Sequence, residues 1–358
     1  MIHLRNLVGA LIGAALLAAC GSSNSLSSST PLSVAPQITA PQSAAAGSAP
    51  TTTNATQAAR STRSCLTSFC IYVFNCVSCG NSDQVGSILI YPSSGTGNIK
   101  PVEKLTGSHI RPYYAFAVDP NHNVYVANKT RIEMFAAGKY GAVKPQRVIS
   151  GSLTGLRANS IAVDSNGKIY SENTYYGNDC SQYTPSNVTV YSAGSHGNVP
   201  PIAEFGTYDG VRVAVDASGN VYTLGGCSQG VNVYAPSGSS YVLVQNISGS
   251  NTGLSGAPPG ITVDPNKNIW VTTGSDLLMF AAGSSGNVSP SIDITGPNTG
   301  LSATGVAVDS FGNSYAANGN TPASVTVYPP GSNGNALPTQ GIVGKKTKLT
   351  EPVAIVVR

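Results

Sequence analysis

The sequence predicts an all-β chain: a six-bladed β-propeller of four-stranded antiparallel blades, closed by a C-terminal strand (about 352–357) that joins the N-terminal blade. Three observations predict it. An Asp recurs at 119, 164, 216, 264 and 309, with spacings of 45, 52, 48 and 45 residues. Six positions after each Asp stands an aromatic: Tyr125, Tyr170, Tyr222, Trp270 and Tyr315. Aromatics of this second strand number six once Tyr72 is included, one more than the Asp residues. Periods of this length, made of short strands and turns, belong to radial β arrays.

Each repeat holds four apolar runs. An inner run ends in the Asp, as in Ile-Ala-Val-Asp at 161–164. A turn of the form Asp-x-x-x-Asn or Asp-x-x-Gly leads to a second run that contains the aromatic. A third run ends in Tyr91, Phe135, Tyr191, Tyr234, Phe280 or Tyr328, and a Gly-rich hairpin leads to a fourth. Tight connections between short runs make one antiparallel sheet per repeat.

The first repeat lacks an inner run, because Leu66, six positions before Tyr72, lies in Ser-Cys-Leu-Thr-Ser. The run Pro-Val-Ala-Ile-Val-Val at 352–357 supplies it. Closure of this kind leaves no row of unpaired backbone donors and acceptors. Small residues suit inner strands crowded round one axis. Ala117, Ala162, Ala214, Thr262 and Ala307 stand two positions before each Asp, and the last run offers Ala354.

These repeats resemble the NHL-repeat propellers, whose units carry a similar Gly-Ile-Ala-Val-Asp…Gly-Asn-Val-Tyr-Val-Ala signature. The resemblance covers about residues 70–358. It implies the propeller fold but says little about activity, since such propellers include both binding domains and enzymes.

Residues 1–19 read as a secretory leader, with Arg5 before an apolar run too short to span a bilayer. Leu17-Ala18-Ala19-Cys20 resembles the bacterial lipoprotein cleavage box, which implies a lipid-bearing Cys20 and an outer-membrane address in the cell envelope. Residues 20–64 are rich in Ser, Thr, Ala and Pro and carry no periodic apolar face, so a disordered tether is expected there and the propeller at 65–358. With Arg5 removed, 18 basic side chains face 15 acidic ones, and no basic stripe occurs. Nucleic acid is therefore not an expected partner.

Six cysteines follow Cys20, an even number that favours disulfides in an exported chain. Blade geometry suggests Cys180–Cys227, Cys76–Cys79 and Cys65–Cys70. A redox or zinc site at Cys76-Val77-Ser78-Cys79 is the alternative for that pair. His109 precedes an inner strand, on the face called upper here. His122 and His196 fall in turns on the lower face, so a multi-His metal centre is not expected. The Asp turns look like half an EF-hand loop but lack its closing Glu. A turn-fixing role, accepting backbone N–H groups two residues on, fits an Asp repeated in every complete blade. A nucleophilic triad is not expected either, since no His neighbours a plausible Ser.

Loop lengths break the monotony. From second- to third-strand aromatic the separations are 19, 10, 21, 12, 10 and 13 residues, so blades one and three carry enlarged loops on the upper face. These loops, at 76–86 and 173–186, are expected to wall a ligand groove. Its residues are Arg111, Tyr113, Tyr114, Asn128, Arg157, Asn159, Glu172, Asn173, Tyr175, Tyr176 and Asp209. Tyrosines with Asn and Arg give rigid contact area and adaptable hydrogen bonds. The expected role is non-enzymatic binding of an envelope protein, peptide or glycan, with no catalytic residue, metal or cofactor assigned. The alternative is a lactonase-type, metal-dependent hydrolase. Its calcium would be held on the upper face by some of Glu172, Asn173, Asn128, Asn318 and Asn75. Against this, the entries to the inner strands offer Arg111, Arg157 and Arg212, with only Asp209 and Glu351 as acids.

Overall fold

The computed structural model describes residues 69–78, 85–111, 115–174, 185–208, 210–225, 230–255 and 258–358. The expected leader, the tether, Cys20 and Cys65 lie outside these residues.

Blade one contains β1 (Cys70–Ser78), β2 (Val85–Pro92) and β3 (Glu103–Thr106). Blade two follows with β4 (Phe116–Val118), β5 (Val124–Asn128), β6 (Arg131–Phe135) and β8 (Arg147–Ser150), while β7 (Gly141–Ala142), between β6 and β8, pairs with β3 of blade one. Blade three holds β9 (Ala158–Val163), β10 (Ile169–Thr174), β11 (Pro185–Tyr191) and β12 (Ala203–Tyr208). Blade four holds β13 (Gly210–Val215), β14 (Val221–Gly225), β15 (Gly230–Ser237) and β16 (Ser240–Ser248). Blade five is β17 (Gly260–Val263), β18 (Ile269–Thr272), β19 (Leu277–Phe280) and β20 (Ile292–Ile294). Blade six is β21 (Ala303–Val308), β22 (Ser314–Asn318), β23 (Ser324–Tyr328) and β24 (Gln340–Val343), and β25 (Glu351–Val357) ends the chain.

The six sheets form the predicted ring, and β25 pairs with β1 as the innermost strand of blade one. One register differs from expectation. Tyr72 pairs with Val356, as Tyr125 pairs with Ala117, so Val356 and not Ala354 is the counterpart of the inner Ala residues. Counting on by two, Arg358 stands where every other blade has its Asp. A bulge opposite Phe74 and Asn75 then shifts the upper half of β25.

Each Asp locks its own turn. Oδ1 of Asp264 accepts from the N–H groups of Asn266 and Asn268, both at 2.9 Å, and the other four Asp residues do the same. Three residues after the Asp the backbone is left-handed. Gly167, Gly219 and Gly312 take that place in three blades, and His122 (φ 62°) and Lys267 (φ 66°) take it in the other two. The sequence signal did not expose the second job of the Asp. Its Oδ2 accepts from the aromatic six positions on, from Tyr125, Tyr170, Tyr222 and Tyr315 hydroxyls and from Trp270 Nε1. Inner and second strands are thus tied through a buried carboxylate, and the Tyr hydroxyls are pushed to higher pKa by burial first and by that carboxylate. Burial first, and Asp119 second, push the Tyr125 hydroxyl up to about 12.

Apolar packing follows the seams: six clusters of buried side chains, each made by facing surfaces of neighbouring blades. At five seams a Gly from the hairpin of one blade also pairs with the outer strand of the preceding blade. At four of those, the Asn after the Gly accepts an N–H across the seam: Asn98 from Lys346, Asn198 from Leu153, Asn287 from Asn251 and Asn335 from Asn298. The seam between blades three and four has no such pairing among the described residues. There Phe205 stacks on Tyr241 at 4.5 Å and tilts against Tyr234 at 5.1 Å.

Cys70 and Cys76 lie near the two ends of β1, both buried, and neither is a free thiol, each being disulfide-bonded. Their expected partners Cys65 and Cys79, and the pair Cys180–Cys227, fall outside the described residues.

Candidate functional site

Around the propeller axis the inner strands leave a cavity of about 450 Å³, walled by β4, β9, β13, β17, β21 and β25. Its wall is mostly Ala, Val, Ile, Gly and Pro. Two charged side chains line it, Arg212 and Arg358.

The upper rim of this cavity is built by irregularities at the start of the inner strands. The ladders shift register where Asn159, Val211, Thr304 and Val353 are inserted. An extra residue turns its neighbours away from the regular alternation. The rim side chains then reach sideways to the next blade. Asn159 Nδ2 donates to the Val211 carbonyl at 3.1 Å, Arg212 Nε to the Pro259 carbonyl at 2.9 Å, and Thr304 Oγ1 to the Pro352 carbonyl at 2.7 Å. Arg212 also donates through Nη1 to the Val211 carbonyl at 3.0 Å. Its guanidinium pKa is pulled below the usual arginine value by burial.

At the lower end Arg358 donates from Nε to the Val118 carbonyl at 3.2 Å. Burial lowers its pKa while the Asp119 carboxylate opposes the shift. With no Asp in blade one, Tyr72 places its hydroxyl 3.0 Å from Nδ1 of His122. Burial pushes the Tyr72 pKa up, with further contributions from Tyr140, Glu103 and Asp119. The His122 imidazole is shifted below its ordinary value, by burial first and by Arg358, against the pull of Asp119 and Glu103.

The residues expected to form the groove separate into three groups. Tyr113, Tyr114, Tyr175, Tyr176 and Asp209 lie outside the described residues, as does most of both enlarged loops. Arg111 and Arg157 are exposed, and Asn128 and Asn159 are half-buried. Glu172 and Asn173 are fully buried and held inside the blade. Thr207 donates its hydroxyl to Glu172 at 2.9 Å. Asn173 accepts the Arg157 N–H at 2.9 Å and donates to Thr189 at 3.0 Å.

The same amide position recurs as a clamp. Asn318 accepts from Ser302 N–H, and Asn75 from Thr350 N–H, each holding the segment that enters an inner strand. Both are without exposed surface. Four of the five oxygen donors of the hydrolase alternative are therefore interior, tied to backbone and hydroxyl groups.

Of the histidines, His109 sits on buried Glu133, with Nδ1 at 3.0 Å from Oε1, and Arg131 donates to the same oxygen at 3.2 Å. His122 is bound to Tyr72, and His196 is exposed. The described residues contain no group of three or more His, Cys, Asp or Glu side chains placed to hold a metal ion. The string Gly226-Cys227-Ser228-Gln229-Gly230 has the Gly-x-Ser-x-Gly form. It links the antiparallel strands β14 and β15, whereas a nucleophile elbow needs a strand-to-helix turn. Most of it lies outside the described residues.

No family model and no curated protein matches the sequence. Solved structures do match in fold. A protein of unknown function from Bacteroides caccae aligns over 81% of this chain and 98% of its own, at 10% identity and a TM-score of 0.56. A protein from Bacteroides fragilis, named as a candidate 6-phosphogluconolactonase, aligns over 81% and 98% at 11% identity, with a TM-score of 0.49. One from Bacteroides uniformis with the same designation aligns over 81% and 99% at 10% identity and 0.48. At these identities the likeness concerns the fold alone, and the two scores below 0.5 carry no argument about chemistry.

Proposed function

We propose that this chain is an NHL-like propeller, lipid-anchored through Cys20 to the bacterial outer membrane, that binds an envelope protein, peptide or glycan through its upper face without chemical turnover. The observation that carries the reading is the fate of the polar residues. Those repeated from blade to blade are spent on turns, clamps and seams. Asn75, Asn173 and Asn318, needed by a cation-dependent hydrolase, are among them, and Glu172, which occurs in one blade, is buried against Thr207. Among the residues that break the repeat, Asn159 lines the upper mouth of the axial cavity and Arg111 and Arg157 are exposed, while the tyrosines of the proposed groove lie outside the described residues. They suit recognition, with aromatic area and hydrogen-bonding groups side by side.

Two measurements test the proposal. A panel of lactones should show no turnover. Hydrolysis that a chelator abolishes and Glu172→Gln removes would overturn it in favour of the hydrolase. Retention on arrays of envelope glycans and peptides should be lost when Tyr113 and Tyr176 are both replaced by Ala, with circular dichroism unchanged. Retention that survives the double replacement would remove the upper face as the binding surface.

A further inference from the structure

From the axial cavity we infer, resting on the binding reading above, that the upper face takes its ligand by an oxyanion: a carboxylate or phosphate group enters the axial mouth and docks on Arg212.

The guanidinium carries five N–H donors in a planar fork. Two are committed, Nε to Pro259 and one Nη1 hydrogen to Val211, both backbone carbonyls. The salt bridges of the described residues lie elsewhere, at Glu133 with His109 and Arg131 and at Asp216 with Lys267. Among the described residues, Arg212 thus presents a positive charge and three further donors to the cavity, with backbone carbonyls as its hydrogen-bond partners. Arg212 is half-buried, and a guanidinium partly withdrawn from water gains from an anionic partner, because removing charge from water is costly unless a partner compensates. The two carbonyl bonds fix the plane of the fork in advance. An arriving carboxylate or phosphate would then meet paired donors without ordering a flexible side chain.

The cavity reinforces the sign. Its lining includes no Asp or Glu among the described residues, where its second charged residue is Arg358. Arg212 lies four residues before Asp216 in the strand, while Arg358 is level with the Asp ring, so about 13 Å of strand separates the two cations. Five turn-locking carboxylates share the lower level with Arg358, so among the described residues the positive end of the tunnel is its upper rim, at Arg212. Asn159 stands beside the fork, sharing the Val211 carbonyl with Arg212, and Thr304 lies on the same rim. Neutral donors of this kind hold the remaining oxygens or the body of the ligand. The class fitted is therefore a small molecule, or the end of a larger one, bearing a carboxylate or phosphate.

The test is calorimetric titration of the folded propeller with succinate and, separately, inorganic phosphate at low salt, paired with thermal unfolding in each anion. Saturable binding of at least one is expected, weakening as chloride rises. Arg212→Gln should weaken it by about tenfold or more, the scale of a hydrogen bond to a charged group. Arg212→Lys keeps the charge without the fork and should bind between the two. If Arg212→Gln fails to fold, the Lys variant and the wild-type chloride dependence still decide. Lys139→Gln, an exposed cation outside the cavity, should match wild type. The two titrants separate the sources: preference for succinate assigns a carboxylate, preference for phosphate a phosphoryl group. Absence of saturable binding to either, or equal affinity in the Arg212 variants, overturns the assignment. In that outcome retention on the glycan and peptide arrays still leaves the binding reading standing. Chelator-sensitive lactone hydrolysis removes that reading whatever the titration shows.

Discussion

Replacing Asp264 by Asn isolates the part of the Asp that the turn alone does not explain. Asn keeps Oδ1, and with it the two backbone bonds at 2.9 Å from Asn266 and Asn268. Its amide nitrogen takes the place of Oδ2 and confronts two donors, Asn268 Nδ2 at 2.8 Å and Trp270 Nε1 at 3.3 Å. Indole N–H can only donate. Asn268 is held from flipping, since its Oδ1 accepts the Ala282 N–H at 3.1 Å. Two bonds to a charged acceptor are lost, each contributing about 1.5–3 kcal/mol, and the long Trp contact sets the total near 3 kcal/mol. The same change at Asp309 should cost about half. Tyr315 hydroxyl, 2.9 Å from Oδ2, can rotate and accept instead of donating. For a chain of this size about 1 kcal/mol lowers Tm by roughly 2–4 °C. Thermal unfolding followed by circular dichroism should therefore show Asp264→Asn falling about twice as far as Asp309→Asn. Equal losses, or a larger loss at Asp309, would refute the account of Oδ2 as the tie between inner and second strands.

Two further outcomes follow from the seams. Phe205→Ala removes the ring that stacks on Tyr241 where hairpin pairing is missing, so it should cost about 3–5 kcal/mol in denaturant unfolding. Phe311→Ala, at a side chain 73% exposed, should cost almost nothing. An equal, small effect at both positions would refute a structural role for the aromatic seam. The His122 pKa is lower in the folded chain than unfolded, so the folded state prefers the neutral ring. Its stabilising contribution is then complete above the unfolded value of about 6.5 and is lost as pH falls through the folded value. Tm should drop more steeply on acidification below about pH 6.5 in wild type than in His122→Asn, Asn being tolerated in the left-handed conformation. Parallel pH profiles would exclude His122 as the source.

The ring was legible because its repeat carries two residue types with rigid demands. An Asp at a turn and an aromatic six positions later can be counted without any knowledge of packing, and the mismatch of six aromatics against five Asp residues located the closing strand. Contacts that bridge sequence-distant segments were not legible. The recurrent Gly-Asn pairs at 97–98, 197–198, 286–287 and 334–335 were visible as letters, yet their clasp on the preceding blade needs the fold in hand. Burial was the other blind spot. Glu172 and Asn173 sit at the upper end of a second strand, where polarity suggests exposure. In the folded chain Thr207, Thr189 and the Arg157 backbone surround them. Arg212 drew notice in the sequence only as one of three cations spoiling a calcium site. Its bulge and its two carbonyl partners give it a place of its own.

Departures from the repeat concentrate on the axis, and there they share a sign. A propeller that used the same Asp in all six blades would ring the lower end of its tunnel with six buried carboxylates, each satisfied by its own turn. Here the closing strand brings Arg358 to the sixth position, and the Tyr72 freed from a carboxylate partner turns to His122. At the other end the bulge before Arg212 turns a second guanidinium toward the same cavity. Neither cation is needed for blade geometry, since the corresponding places in other blades are filled by uncharged residues or by the turn-locking Asp. An anion docked at Arg212 would give that guanidinium the charged partner it lacks among the described residues, which makes the axis, rather than any repeated residue, the part of the molecule where a ligand changes the energy most.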